Sequence, residues 1–485
     1  MAGVAEWVCC PGEENAELIR ILTNSPAVHC WHVPDERSAG GFALGRIQAT
    51  SRPVAVLAGS GAGAAGLMPA VAEAYYQRRP LIVITPGAAE TAEGTGAWGR
   101  IEQGGLFGLY AERTVEVQLP CSVEELPDMV ALCAEGFPIH LQVNCTPGMR
   151  RGGCAAEVAD PPMPPRFRGS LAEISQMLRF RAREEGLVLI LGALEPTEQE
   201  AALWLARTLR VPTLAEPTSG LREQIAPLLL PPEGASELLA TDPPRHVLRV
   251  GSVPSFPFWQ ELEQLPGTEV YSITRSGFSG LRRPSFVTEG ELEQIMRALD
   301  EIPHVGDVVG LLPRARKYAA RLHETLYHEP ESAPALVHAF SQYASLAEVM
   351  FLGSRSASRL WSTYAQLKEP VIYTRSLSQA GGTDGLISAF LGNSAAVTTA
   401  CALVEDADLL RDLTAGSLIP QLPPAKRIIA VLRSESAIPL PDPAEIARFW
   451  HAEYYPIHTE ADLEIIDDLS NDTLALLDLG SAKNI

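Results

Sequence analysis

Apolar runs of about four to eight residues recur along the whole chain, separated by stretches with helical spacing. "PVAVLAG", "RPLIVITPG" and "IHLQVNCTPG" fall early, with the helical pattern "AAGLMPAVAEAYYQ" between the first two. "GLVLILGA", "VPTLAE", "RHVLRVGS" and "EVYSIT" come next, followed by "EVMFLGS", "PVIYTRS", "AVTTACALVED" and "KRIIAVLRS". Runs that are apolar at nearly every position belong to strands covered on both faces, and their alternation with helices implies βαβ units and parallel sheets. The fold class this predicts is α/β, with three consecutive doubly wound parallel-sheet domains. "ADPPMPPRFRG" reads as a stiff proline-rich connection. The expected division is a first domain over 1–158, a linker over 159–168, a middle α/β domain over 169–330 and a third domain over 331–485, each of ordinary size.

With 485 residues, 46% of them hydrophobic and 20% charged, the chain can bury several cores. Its formal charge of −21 argues against a nucleic-acid or anionic-membrane partner, since such surfaces select an excess of Lys and Arg. The uncharged stretch from Val54 to Ala72 is mostly Ala and Gly with an internal proline, so it reads as strand, loop and helix rather than a membrane span. The eight cysteines show no CxxC pair or Cys/His cluster with metal spacing, and a reduced, cytoplasmic location is expected. "MAGVAEWVCCPGEEN" lacks the basic segment of a signal peptide.

Two strand-to-helix junctions carry possible chemistry. "VAVLAGSGAGAAGLMPAVAEAYY" sets Gly61, Gly63 and Gly66 after a strand and into a helix, with Glu90 downstream, which is the context of a dinucleotide-binding fingerprint. Against that reading, "AVHCWHVPDERSAGGFALGRIQATSRP" precedes it with a junction of its own, placing Glu36 at a helix start among small apolar residues. A carboxylate there either satisfies backbone N–H groups and the helix dipole or serves a ligand. Further on, "ACALVEDADLLRDLTAG" crowds Glu405, Asp406 and Asp408 where a strand stops. Phosphates and divalent metals bind at such strand ends in α/β proteins.

The run "HVPDERSAGGFALGRIQATSRPVAVLAGSGAGAAGLMPAVAEAYYQRRPLIVITPG" resembles the pyrimidine-binding domain of thiamine-diphosphate enzymes, in particular the SEPHCHC synthase (MenD) family. "GRIEQGGLFG" continues the likeness. In the third domain "VMFLGSRSASRLW", "YTRSLSQAGGTDGLISAFLG" and "LVEDADLLRDLTAG" are similar to the family's segments for substrate, cofactor and metal. The resemblance implies pyrimidine-binding, middle and diphosphate-binding domains in that order, in a homodimer or homotetramer that clamps the cofactor between chains. It implies thiamine diphosphate and Mg as cofactors, and a 2-oxo acid (2-oxoglutarate) and isochorismate as small-molecule substrates in menaquinone biosynthesis. By the same resemblance Glu36 would hydrogen-bond the pyrimidine and Gln103 would lie near the reacting centre. Gly59, Ser60, Gly61, Glu405, Asp406, Arg433 and Ser434 would hold the cofactor, with Asp406 the metal ligand. Arg355, Arg359 and Arg375 would bind substrate carboxylates, which suits a planar guanidinium.

The chain departs from the family pattern at several of these places. Glu405 stands where the pattern has glycine, and Arg433 or Ser434 where it has an asparagine ligand. Arg433 is expected either to replace Mg²⁺ by pairing with the diphosphate or to pair with Asp406. The pattern's basic positions are occupied by "PGEEN" (with Glu13 and Glu14), "PGAAETAE" and "SFPFWQ". Two functions therefore stand open: a synthase of this family, or a relative that keeps the scaffold for binding or regulation. A nicotinamide-binding protein resting on Gly61, Gly63, Gly66 and Glu90 is a third. Asp408 and Asp412 are expected to cap or decorate the following helix, and Trp259 and Trp361 to pack.

Overall fold

The structure is a computed structural model that describes residues 4–59, 61–87, 101–111, 113–119, 136–145, 169, 171–299, 302–377, 379–434 and 439–481. Ser60, Glu90 and the expected linker lie outside the described residues. Three sheets account for the strands. The first holds β1 (Glu6–Cys9), β2 (His29–His32), β3 (Val54–Leu57), β4 (Leu81–Gly87), β5 (Arg113–Leu119) and β6 (Ile139–Cys145), in the order β2-β1-β3-β4-β6-β5. The second holds β7 (Leu187–Leu191), β8 (Thr213–Ala215), β9 (His246–Val250), β10 (Glu269–Thr274) and β11 (Phe286–Glu289), in the order β11-β10-β9-β7-β8. The third holds β12 (Val349–Leu352), β13 (Tyr373–Ser376), β14 (Thr399–Glu405), β15 (Lys426–Arg433), β16 (Glu453–Pro456) and β17 (Leu474–Ser481), in the order β13-β12-β14-β15-β17-β16. The pairings are parallel throughout, as uniformly apolar strands require.

The first and third sheets thread their six strands in the same order. The helix that joins the second strand to the third in the first sheet, α1 (Glu36–Thr50), therefore corresponds to α2 (Leu386–Ser394), which joins β13 to β14. These two helices pack on each other. Neither has a solvated polar face, because each is sandwiched between its own sheet and the other helix. Glycine permits the approach: a Cβ on Gly41 would stand 2.2 Å from the Gly385 carbonyl oxygen, and one on Gly45 2.2 Å from that of Ala389. The core is accordingly continuous between the two sheets, running from Val8, Phe42 and Val83 to Phe351, Phe390 and Ile429.

Polar bonds fix the same junction. Arg46 donates to the Gly392 carbonyl at 3.1 Å, Asn393 to the Gln48 side chain at 2.9 Å, and Arg375 to the Gln48 carbonyl at 3.2 Å. The middle sheet is tied in by Arg79, which pairs with Glu195 at 2.5 Å, and by Arg222, which donates to the carbonyls of Trp361 and Ser362. Burial alone would raise the Glu195 carboxyl, but Arg79 and Arg375 outweigh it and hold the group down at about 2. Among the described residues no helix is long and apolar enough to cross a membrane.

Candidate active site

Glu36 opens α1, one residue after its N-cap Asp35, whose carboxylate accepts from the backbone N–H groups of Arg37 and Ser38. The capping duty expected for Glu36 is thus discharged by its neighbour, leaving Glu36 to point elsewhere. Its Oε1 accepts from the Gly59 N–H at 3.0 Å, and no hydrogen bond to Oε2 is present among the described residues. The glycine loop folds over this carboxylate as a 3₁₀ turn, Gly61–Leu67. A Cβ on Gly63 would stand 2.5 Å from Oε1, one on Gly59 2.9 Å from it, and one on Gly66 3.3 Å from the Glu36 Cβ. These glycines make room for a carboxylate rather than a pyrophosphate, which accounts for the motif without a nicotinamide cofactor. Gly61 takes a φ of +64°, the left-handed turn that starts the wrap.

Gln103 is buried and donates to the Pro86 carbonyl at the end of β4, at 3.0 Å. Its Oε1 is buried without a hydrogen-bond partner among the described residues.

At the end of β14 the acids divide their work. Glu405 is the N-cap of α3 (Asp406–Arg411) and forms a capping box with Asp408, whose carboxylate accepts the Glu405 N–H at 3.0 Å and the Ser354 N–H at 3.3 Å. Burial, with Glu405 nearby, pushes the Asp408 carboxyl up to about 6. Asp406 faces the end of β15: its Oδ1 accepts from the Ser434 N–H at 3.0 Å and the Ser434 hydroxyl at 2.5 Å, and its Oδ2 has no hydrogen bond among the described residues. Ser434, rather than Arg433, therefore stands across from Asp406. Arg433 turns away, giving Nε to Asp478 at 3.0 Å and a terminal nitrogen to Asp478 at 2.5 Å and Asp442 at 3.2 Å. The expected pairing of Arg433 with Asp406 is corrected: the buried Asp478 carboxylate within β17 takes the guanidinium instead. Among the described residues no three His, Cys, Asp or Glu side chains converge as metal ligands.

Asp412 departs from expectation. Instead of decorating a helix it is fully buried, accepting from the Ser38 hydroxyl at 2.5 Å and from the Ser388 N–H at 2.7 Å, so that it bridges the starts of α1 and α2. Burial pushes its carboxyl up to about 6. Asp408 behaves as expected. Trp259 and Trp361 are buried, as packing residues should be.

The three arginines separate. Arg355, the first residue of the helix that follows β12 (Arg355–Tyr364), lines a cleft of about 800 Å³ between the middle and third sheets. Arg359 lies one turn on but reaches out to Glu233 at 3.0 Å and does not line this cleft. Arg375 is buried, held by the Gln48 carbonyl and 3.9 Å from Glu195, so it serves the junction of the three sheets. The cleft is also walled by Gly353, Ser354, Gly381, Gly382 and Thr383, from the segments likened above to cofactor- and substrate-binding ones. Glu36 and Asp406 do not line it.

Comparison with known proteins bears on the fold and the family. Residues 1–106 match the family model "Thiamine pyrophosphate enzyme, N-terminal TPP binding domain". A 2-succinyl-5-enolpyruvyl-6-hydroxy-3-cyclohexene-1-carboxylate (SEPHCHC) synthase of Akkermansia muciniphila is 40% identical, over 99% of this chain and 93% of its own. The chain belongs to the SEPHCHC synthase family. A synthase of the same name from Bdellovibrio bacteriovorus is 28% identical over 89% of this chain and 82% of its own. A solved structure from Mycobacterium smegmatis, described as a thiamin diphosphate-dependent enzyme, superposes with a TM-score of 0.74 at 18% identity, covering 99% of this chain and 96% of that one. The last likeness shows the fold.

The residues fit the family's cofactor at its pyrimidine end, where a glycine cradle holds one oxygen of Glu36 and, among the described residues, leaves the other without a hydrogen bond. At the diphosphate end Asp406 and Ser434 set two oxygen donors together. What sequence reasoning missed in this SEPHCHC synthase family member is the role of Asp412, whose partner Ser38 lies far away in the chain, where no local pattern announces it.

Proposed function

We propose that this chain is a thiamine-diphosphate-dependent synthase that decarboxylates 2-oxoglutarate and adds the resulting acyl group to isochorismate, in menaquinone biosynthesis. The observation that carries the reading is the Glu36 carboxylate, pinned through Oε1 by the Gly59 N–H under a loop whose glycines leave it space. Thiamine diphosphate, when bound, supplies the carbanion that cleaves a 2-oxo acid and carries its acyl unit. The protein's part is to hold a proton relay at Glu36 Oε2, to bind substrate carboxylates, and to keep water out. Asp406 and Ser434 would hold Mg²⁺ through oxygen, the donor type a hard cation takes. Arg355 would meet an anionic substrate in the cleft.

Because Glu36 does not line the cleft of its own chain, a second copy is proposed to bring its Glu36 to that cleft, as a homodimer or homotetramer. No observation favours the alternative of a binding scaffold. The test is CO₂ release from 2-oxoglutarate with isochorismate, thiamine diphosphate and Mg²⁺, with and without EDTA, for the parent and Glu36→Gln. Turnover that EDTA removes, and a loss of about 10²- to 10⁴-fold in Glu36→Gln, is expected for a residue that relays a proton. A parent without turnover, or a Glu36→Gln variant as fast as the parent, overturns the reading.

A further inference from the structure

In a chain of net charge −21, the charged residues lining the 800 Å³ cleft are, among the described residues, two acids and two arginines. The acids are already committed to the wall. Glu216 is buried and accepts from the N–H of Ser255 at 2.6 Å and its hydroxyl at 2.8 Å. Glu263 accepts from the backbone N–H groups of Arg282 at 2.6 Å and Arg283 at 3.3 Å. The arginines, Arg282 and Arg355, have side chains with no hydrogen bond or ion pair among the described residues, although acidic residues outnumber basic ones by 59 to 38 in the chain as a whole.

Arg282 is presented by a loop anchored from behind. Arg249 donates to the Phe278 carbonyl at 2.6 Å, Trp259 to that of Gly280 at 3.2 Å, and Arg283 to the carbonyls of Leu265 and Thr268. Arg249 and Arg283 thus give guanidinium donors to backbone carbonyls, whereas Arg282 lines the cleft with no side-chain hydrogen bond or ion pair among the described residues. On the other wall Arg355 follows Ser354, a buried residue whose hydroxyl also lacks a partner among the described residues. Two guanidinium groups unpaired among the described residues, on a wall whose acids are already hydrogen-bonded to that wall, form a site for carboxylates, because such pairs gain both charge and bidentate geometry.

We propose that Arg282, from the middle domain, is a specificity-determining residue that binds a carboxylate of a dicarboxylate substrate across the cleft from Arg355. This deepens the proposed function and rests on it for the identity of the substrate. Either 2-oxoglutarate or isochorismate has the required chemistry, and the two are told apart by which KM responds.

The experiment compares the parent with Arg282→Ala, Arg282→Lys, Arg355→Ala and, as a charge control, Arg297→Ala, whose side chain is exposed and paired with Glu293. Steady-state KM and kcat are measured for each substrate on the protein loaded with thiamine diphosphate and Mg²⁺, and binding of 2-oxoglutarate alone is measured by calorimetry. Losing a charge-assisted bond predicts that Arg282→Ala raises one KM by about 10- to 100-fold with kcat within about threefold, while Arg282→Lys recovers part of the loss and Arg297→Ala changes nothing. Unchanged KM values for both substrates, or a fall in kcat alone, overturn the proposal. If the parent shows no turnover the functional reading fails, and calorimetry decides separately. Binding of 2-oxoglutarate that Arg282→Ala weakens sustains the site, whereas no binding by the parent, or equal binding by both, removes it.

Discussion

Replacing Gly45 by alanine tests whether the contact between α1 and α2 is as close as the structure makes it. Two effects oppose each other. Alanine is the better helix former by about 1 kcal/mol, so an uncrowded site would be stabilised. Here the new Cβ would stand 2.2 Å from the Ala389 carbonyl oxygen and 2.9 Å from its carbonyl carbon, where real Cβ atoms essentially never come within 3.0 Å. The obstacle is backbone on a helix buried on both sides, so no side chain can swing away. The helices must separate by about 0.8 Å or more, within a core packed at crystal-like density. Overpacking of this kind costs about 1–3 kcal/mol, and a rigid obstacle belongs at the upper end. The net expectation for Gly45→Ala is a loss of about 2 kcal/mol, or a fall of roughly 4–8 °C in the unfolding midpoint. Thermal unfolding followed by circular dichroism at one fixed protein concentration reads this, since assembly would make the midpoint concentration-dependent. Gly382→Ala, where a Cβ meets nothing within 4 Å, is the reference and should leave the midpoint in place. A midpoint that rises in Gly45→Ala would mean that helix propensity wins and that the approach is looser than described.

Three further outcomes follow from the site. Asp412, buried and raised to about 6 from an ordinary 3.8, keeps its proton in the folded chain while the unfolded chain ionises. Stability therefore falls as pH rises from about 4 to about 6, by as much as about 3 kcal/mol, and stays lowered above that. Asp412→Asn removes this loss, so chemical denaturation should show the variant gaining on the parent between pH 4 and pH 7. The charges around it, Asp35 and Arg37, are common to both proteins and cancel in the difference. A difference that is flat across that range refutes the assignment. Arg433→Ala should cost about 1.5–3 kcal/mol in the same assay by stripping Asp478 of its charged partner, yet leave the EDTA sensitivity of cofactor binding as it is in the parent. Asp406→Asn should keep the fold while weakening the magnesium dependence of thiamine diphosphate binding, read by titration calorimetry with and without EDTA.

The strands that sequence reading reached and those it missed differ physically. β3, β7, β9 and β15 are buried on both faces, and their apolar runs stand out. "RTVEVQL" (β5), "FVTE" (β11) and "EYYP" (β16) lie at sheet edges, where solvent admits polar residues and the apolar signal fades. β17, "LALLDLGS", is interior, but a short apolar run interrupted by an aspartate is ambiguous between strand and helix. The matched strand order of the first and third sheets goes with no short-period repeat in the residues, because a fold can be duplicated through burial pattern alone.

The site divides along the same line. Glu36 was legible because what shapes it is nearby: its helix start, its capping neighbour and the glycine loop. The glycines themselves were visible but carried two explanations until the Glu36 carboxylate was found beneath them. Arg433 was misjudged because spacing places a backbone position and says nothing about which carboxylate a long side chain will find. Asp478, 45 residues away, competes better than anything in the strand-end motif. Arg282 was invisible for a related reason. Nothing in "SGFSGLRRPSF" distinguishes it from Arg283, and only the folded loop shows that one guanidinium is spent on the Leu265 and Thr268 carbonyls while the other faces the cleft. Recognition of a carboxylate demands a guanidinium at a place in space rather than at a place in the chain. A family member can therefore lose cations from several expected segments and still offer an anion a site, provided another loop is braced to present one.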